Sequence, residues 1–169
     1  MEDFENKIHN VQIINHLIKK DHMKIKFLLL VLLFSNSAFS NYKLETVLDD
    51  LDDAWSFVFL EEDKILFTEL PGKLKIASLS DKSITEIINV PTVQYSGQGG
   101  LSDIALDPDF KSNNTIYLSY SARNKNKKTT LFLISAQLEG NVLENSKVIF
   151  QADAPRRSPM HLGAKIAFM

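Results

Sequence analysis

An all-β fold is the prediction for this sequence, and three features carry it. Past Asn41 no long stretch repeats its apolar residues at the helical period of about 3.6. Apolar, β-branched and aromatic residues cluster instead in short runs. Turn-forming residues punctuate those runs at close intervals. With 44% apolar and 24% charged residues, the composition is that of an ordinary globular chain.

The predicted strands, in order, are Ser56–Leu60, Lys64–Glu69, Leu74–Leu79, Ile84–Val90, Ser102–Leu106, Thr115–Ser121, Thr129–Gln137, Lys147–Ala152 and Lys165–Met169. Glu61-Glu62-Asp63 separates the first two as a polar tip, and Pro71-Gly72 is a turn dipeptide. Ser80-Asp81-Lys82 and Glu139-Gly140-Asn141 read as hairpin loops, and Arg123–Lys128 as a charged loop. Strand, tip, strand, turn, strand is a meander. Trp55–Leu79 makes one such unit and Ser102–Gln137 another. Meanders recurring every 40 to 50 residues or so suggest propeller blades, while a sandwich fits the same spacing.

The first forty residues are set apart from the fold. Lys24 and Lys26 form a positive region, Phe27–Phe34 an unbroken apolar run, and Ala38-Phe39-Ser40 a small-residue cleavage pattern before Asn41. That is the layout of a secretory signal peptide over 23–40. Residues 1–22 are then an upstream extension, with translation expected to start at Met23; a long tethering leader is the alternative. The folded body is expected over 41–169.

Several function classes are excluded. The balance of 19 Lys+Arg against 21 Asp+Glu lacks the basic excess of a nucleic-acid binder. No apolar run reaches the 18 or so residues a lipid-spanning helix needs, so no membrane span is expected after signal removal. With no Cys, disulfides, thiolate metal sites and Cys nucleophiles are out. His9, His16 and His22 precede the signal peptide, which leaves His161 to the body.

Other polar clusters read as structural. Asp49–Asp53 fails as a calcium loop because Trp55 falls where such a loop needs glycine; it reads as a solvated lead-in. Asp107-Pro108-Asp109 reads as a turn closed by side-chain-to-backbone hydrogen bonds. Lys125–Lys128 has no interleaved aromatics for base stacking and reads as a soluble hairpin tip. Trp55, the only Trp, opens an apolar strand and is expected to pack in the core.

Three stretches resemble one family. They are Ala54–Leu60 with Phe67–Leu74, then Gly97-Gln98-Gly99-Gly100-Leu101-Ser102-Asp103-Ile104-Ala105-Leu106-Asp107-Pro108-Asp109-Phe110, then His161-Leu162-Gly163-Ala164-Lys165-Ile166. In order and spacing they are similar to the start of the glucose/sorbosone dehydrogenase family, the soluble PQQ-dependent aldose dehydrogenases. The resemblance implies the first blades of a six-bladed β-propeller exported to the periplasm. It implies oxidation of an aldose sugar at C1 to a lactone. A His takes the C1 hydroxyl proton while hydride passes to the C5 carbonyl of PQQ. His161 matches that His, and Gln98 matches a Gln that contacts the cofactor. Calcium is implied too, with ligands further along than this chain, so no metal ligand is carried over. The chain departs from the pattern at Ser158-Pro159-Met160, where the family has glycines, and at Leu162, where it has an aromatic.

The run Lys165–Met169 stops without a turn signal, so an N-terminal fragment, inactive alone and self-associating through open propeller edges, is expected. Two function classes stay open. One is a sugar oxidoreductase carried by a longer product. The other is a non-enzymatic envelope fragment that binds a sugar or protein, or a decayed remnant.

Overall fold

The computed structural model describes residues 42–153 and 162–169. The signal-peptide reading lies outside the described residues, and every contact below falls within the compact unit Thr46–Met169.

The chain folds as two consecutive antiparallel meanders. Strands β1 (Ala54–Glu61), β2 (Lys64–Glu69), β3 (Lys73–Ser78) and β4 (Ile84–Glu86) form one sheet in sequence order. Strands β5 (Leu101–Leu106), β6 (Thr115–Arg123), β7 (Thr129–Glu139) and β8 (Val142–Gln151) form the second, also in sequence order. One short helix, α1 (Phe110–Asn113), lies between β5 and β6. One four-stranded meander is the repeat unit of a propeller, and the chain carries two in succession.

Local chemistry sets the turns. The β1–β2 tip is held by Asp63, whose Oδ2 accepts from Ser78 Oγ at 3.0 Å and Ser80 Oγ at 2.7 Å. Gly72 takes φ +112° in the β2–β3 turn, and its N–H donates to Glu69 O at 2.9 Å. Asn124 closes the charged loop by accepting from the N–H of Asn126 and Lys128. At the expected Asp107 turn, Oδ1 accepts from Asp109 N–H at 2.9 Å and Asn113 Nδ2 at 3.0 Å. Tyr117 O–H donates to Asp107 Oδ2 at 2.9 Å. The Asn113 bond, then those of Asp109 and Tyr117, hold the Asp107 carboxyl below its ordinary range.

The blades stack face to face, with β1 and β2 against β5. Leu66 and Leu74 of the first blade join Leu101, Ile104, Ile116, Leu118, Ile134 and Leu143 of the second in one buried cluster. Polar groups pin the same seam. Thr68 Oγ1 donates to Ser102 O at 2.6 Å, and Leu101 N–H donates to Leu70 O at 3.0 Å. After β4, Ile88 pairs with Val142 as a parallel bridge, tying the exit of the first blade to the outer strand of the second. On the opposite face of β1, Phe57 and Phe59 meet edge to face at 5.7 Å and stay more than half exposed.

One buried ion pair crosses the first blade. Glu69 is fully buried, and Lys75 Nζ lies 2.7 Å from its Oε2. Lys75→Met strands a buried carboxylate, so stability is expected to drop by about 3 kcal/mol in a urea melt.

Three strand expectations need correction. Ile84–Val90 is a strand only over Ile84–Glu86: Ile87 N–H still donates to Leu74 O, and from Ile88, whose N–H donates to Asn141 O, the chain crosses to the second blade. Lys147–Ala152 is the end of a longer strand that begins at Val142, directly after the Gly140 turn. Lys165–Met169 is not a strand. Its anchors on the second blade are side chains, Asp103 on Lys165 and Ile166 and Tyr117 against Phe168, rather than a backbone ladder.

Candidate functional site

A cleft of about 400 Å³ opens where the two blades and the 162–169 segment meet. Trp55 of β1, Gln98, and Ser102 and Asp103 of β5 line one part of it; Leu162 to Lys165 line the rest.

Gln98 is placed by its glycines. Ser96 and Gly99 exchange backbone hydrogen bonds, Ser96 N–H to Gly99 O at 3.3 Å and Gly99 N–H to Ser96 O at 2.9 Å. Gly97 sits at the first central position with φ +61°, where a tight type II′ hairpin turn wants glycine. The turn holds Gln98 at its exposed tip, at the cleft. Beneath it the backbone is crowded. A Cβ on Gly99 would lie 2.5 Å from Ser121 Oγ and 3.3 Å from Leu162 Cδ1; one on Gly100 would lie 2.1 Å from Leu70 O.

Trp55 is not a core residue. It is 56% exposed and walls the cleft. Ala54 pairs with Glu69 and Ser56 with Thr68, so Trp55 is the extra residue of a β-bulge. Bulges re-aim side chains and are frequent beside active sites. The sequence pattern shows an aromatic at a strand start and contains no sign of the bulge.

Asp103 was missed as a site residue, although a lone carboxylate inside an apolar strand run is a visible signal. Ser56 Oγ donates to its Oδ1 at 2.6 Å, Lys165 Nζ donates to Oδ1 at 3.1 Å, and Ile166 N–H donates to Oδ2 at 2.6 Å. Burial alone would raise this carboxyl; the bonds from Ser56, Ile166 and Lys165 outweigh it and hold it below the usual range. A depressed carboxyl stabilises the fold above its unfolded pKa, and that contribution is lost as pH falls through the folded value. Acid melts are therefore expected to show less loss of stability below about pH 4 for Asp103→Asn than for wild type.

His161 lies outside the described residues. Its neighbour Leu162 is the residue whose side chain reaches Gly99, next to Gln98. The structure thus brings Gln98 and the segment following His161 to one cleft. Among the described residues no group of three or more His, Asp or Glu is arranged to hold a metal ion.

A model of the family described as glucose/sorbosone dehydrogenase matches residues 51–169. The chain belongs to that family. Aldose sugar dehydrogenase YliI of Escherichia coli is 27% identical over 128 residues, covering 74% of this chain and 34% of the relative. A crystal structure of a glucose dehydrogenase superposes with a TM-score of 0.71 at 34% identity, covering 75% of this chain and 38% of that one. The PQQ-bound aldose sugar dehydrogenase from Streptomyces coelicolor superposes with a TM-score of 0.62 at 25% identity, covering 75% of this chain and 38% of that one. The chain spans about a third of the length of the curated relatives it matches. Its two sheets are accordingly blades of the propeller this family builds.

Proposed function

We propose that this chain supplies the first two blades, and one wall of the cofactor site, of a PQQ-dependent dehydrogenase that oxidises aldose sugars at C1. The observation that carries the reading is the shared cleft. Gln98 on its glycine turn and the segment following His161, which matched the family separately in the sequence, line the same opening. The cleft suits a flat, carboxylate-bearing quinone. Trp55 offers an aromatic face, Gln98 an amide, and the largely exposed Lys165 a cation.

In this reading, Gln98 hydrogen-bonds the cofactor and Trp55 packs against it. His161 accepts the C1 hydroxyl proton, a task that suits an imidazole near its ordinary pKa. PQQ, when bound, supplies the two-electron acceptor for the hydride from C1. Calcium binding and turnover belong to a protein that carries further contacts, so the 169-residue chain is expected to be inactive alone. Export to the periplasm rests on the signal-peptide pattern of 23–40. Among the described residues, no helix is long and apolar enough to cross a membrane. The exposed Phe57 and Phe59 support self-association through the open face of β1.

Trp55 is the only Trp of these 169 residues, so with Trp beyond them replaced by Phe its fluorescence reports the cleft directly. Adding PQQ is expected to quench that emission saturably, and Gln98→Ala to weaken the binding by about tenfold, the worth of one hydrogen bond to a charged group. Unquenched emission at saturating PQQ in the native product would sink the cofactor reading.

A further inference from the structure

Trp55 and Gln98 reach the cleft on segments that belong to different blades. Trp55 follows the acidic lead-in to β1, and Gln98 rides on the Ser96–Gly99 turn ahead of β5. Each segment is fastened to its own blade just upstream. In the lead-in, Asp52 N–H donates to the buried Glu69 Oε1 at 3.0 Å, and Leu70 N–H donates to Asp53 O at 3.0 Å. Ahead of the turn, Gln94 N–H donates to Ser121 O at 2.7 Å, and Ser121 Oγ donates to Gln94 O at 2.9 Å.

A further bond joins the two segments to each other. Tyr95 O–H donates to Asp53 Oδ2, 42 positions away along the chain. Asp53 lies two residues before Trp55, and Tyr95 three before Gln98. The link therefore crosses the blade seam within one short turn of chain from both cleft residues. Asp53 also holds a left-handed backbone at φ +49°, which a residue with a side chain adopts only when its surroundings impose it. Those surroundings are the Leu70 N–H on its carbonyl and the Tyr95 hydroxyl on its carboxylate. Tyr95 is 47% exposed, so water competes for the bond and its net contribution to folding is small. Its consequence is geometric: it limits how far the two segments can part.

We propose that the Asp53–Tyr95 pair is a positioning link for the cleft, holding the Trp55 ring and the Gln98 amide at the spacing a flat ligand needs. The inference rests on the reading of Trp55 and Gln98 as cofactor contacts. Asp53 and Tyr95 are not among the residues that line the cleft, so both act through the segments they join.

The test uses the native product, with Trp beyond residue 169 replaced by Phe, and its first arm needs no cofactor. Excited where only Trp absorbs, Trp55 anisotropy is expected to fall in Tyr95→Phe and in Asp53→Ala, with the urea midpoint of Tyr95→Phe unchanged. Asp53→Asn keeps an acceptor oxygen and tolerates the left-handed backbone, so it is expected to keep the wild-type anisotropy. The double variant Tyr95→Phe with Asp53→Ala is expected to match Asp53→Ala alone, because both changes remove the same bond. Unchanged anisotropy in Tyr95→Phe overturns the link. So do losses that add in full in the double variant. A Tyr95→Phe midpoint that falls along with anisotropy makes Tyr95 a general stabiliser and overturns it too. Should Asp53→Ala fail to fold, Tyr95→Phe against Asp53→Asn carries the comparison.

The second arm is PQQ binding, read by Trp55 quenching. Tyr95→Phe is expected to weaken it about three- to tenfold, the worth of one hydrogen bond, with Asp53→Asn close to wild type. Equal affinity in Tyr95→Phe and wild type contradicts the proposal. A wild-type protein that binds no PQQ removes the cofactor reading instead, and the cofactor-free arm then judges the link independently.

Discussion

Replacing His161 with alanine in the PQQ-loaded native product is expected to lower aldose oxidation by a factor of about 10² to 10⁴, the usual contribution of a positioned general base. The reason is chemical. Removing hydride from C1 leaves a proton on the hydroxyl, and that proton needs an acceptor near neutral pKa. Imidazole is the side chain with that property, and His161 matches the His of the family's pattern. PQQ affinity, read by Trp55 quenching, is expected to change little in the variant. That separates loss of the base from loss of the cofactor. The measurement is initial rate against sugar concentration for both proteins. Equal kcat values would take the base role away from His161.

Gly100→Ala is expected to destabilise the fold by about 3 kcal/mol or more and to abolish cofactor binding with it. The added methyl would sit 2.1 Å from Leu70 O, and the atom it meets is backbone, so no rotamer change relieves the overlap. Both partners are also engaged: Leu70 O accepts from Leu101 N–H at 3.0 Å across the blade seam, and Gly100 O accepts from Ser121 N–H at 2.9 Å within the second blade. Moving either one pulls a hydrogen bond apart. A urea melt gives the stability, and a midpoint equal to wild type would show that the seam yields more easily than its geometry implies. Gly140→Ala separates the two costs: a Cβ there meets nothing within 4 Å, so only the strain of its φ of +60° is added.

Much of this fold was legible because turn chemistry is local. Pro71-Gly72, the Asp107 turn and the Glu139-Gly140-Asn141 loop each act through residues two or three apart, and the strands between them follow. What a single sequence does not display is pairing at a distance. Ile88 leaves its predicted strand because it bridges Val142 across the seam. Lys165–Met169 has a strand's composition, yet its anchors are the side chains of Asp103 and Tyr117. Trp55 reads as core because it opens an apolar strand, and the bulge that sets it at the cleft arises from register against Glu69 and Thr68.

The site divides along the same line. Gln98 is legible through the resemblance that Gly97-Gln98-Gly99-Gly100 carries, and those glycines shape the turn that holds it. Asp103 did not, because its partners lie up to 63 residues away along the chain. A charge inside an apolar run marks a buried carboxylate but not what it holds. The resemblance pointed to cofactor chemistry, and the geometry adds that Gln98, Trp55 and residues 162–165 share one opening.

The most direct test of the central claim is aldose oxidation by the native gene product, captured with an antibody raised against residues 41–169 and assayed with calcium, with and without added PQQ. The account predicts sugar oxidation that appears only with PQQ and saturates as Trp55 emission is quenched. A product that quenches fully with PQQ, yet oxidises no aldose, would contradict it and leave this propeller a binding protein rather than a dehydrogenase.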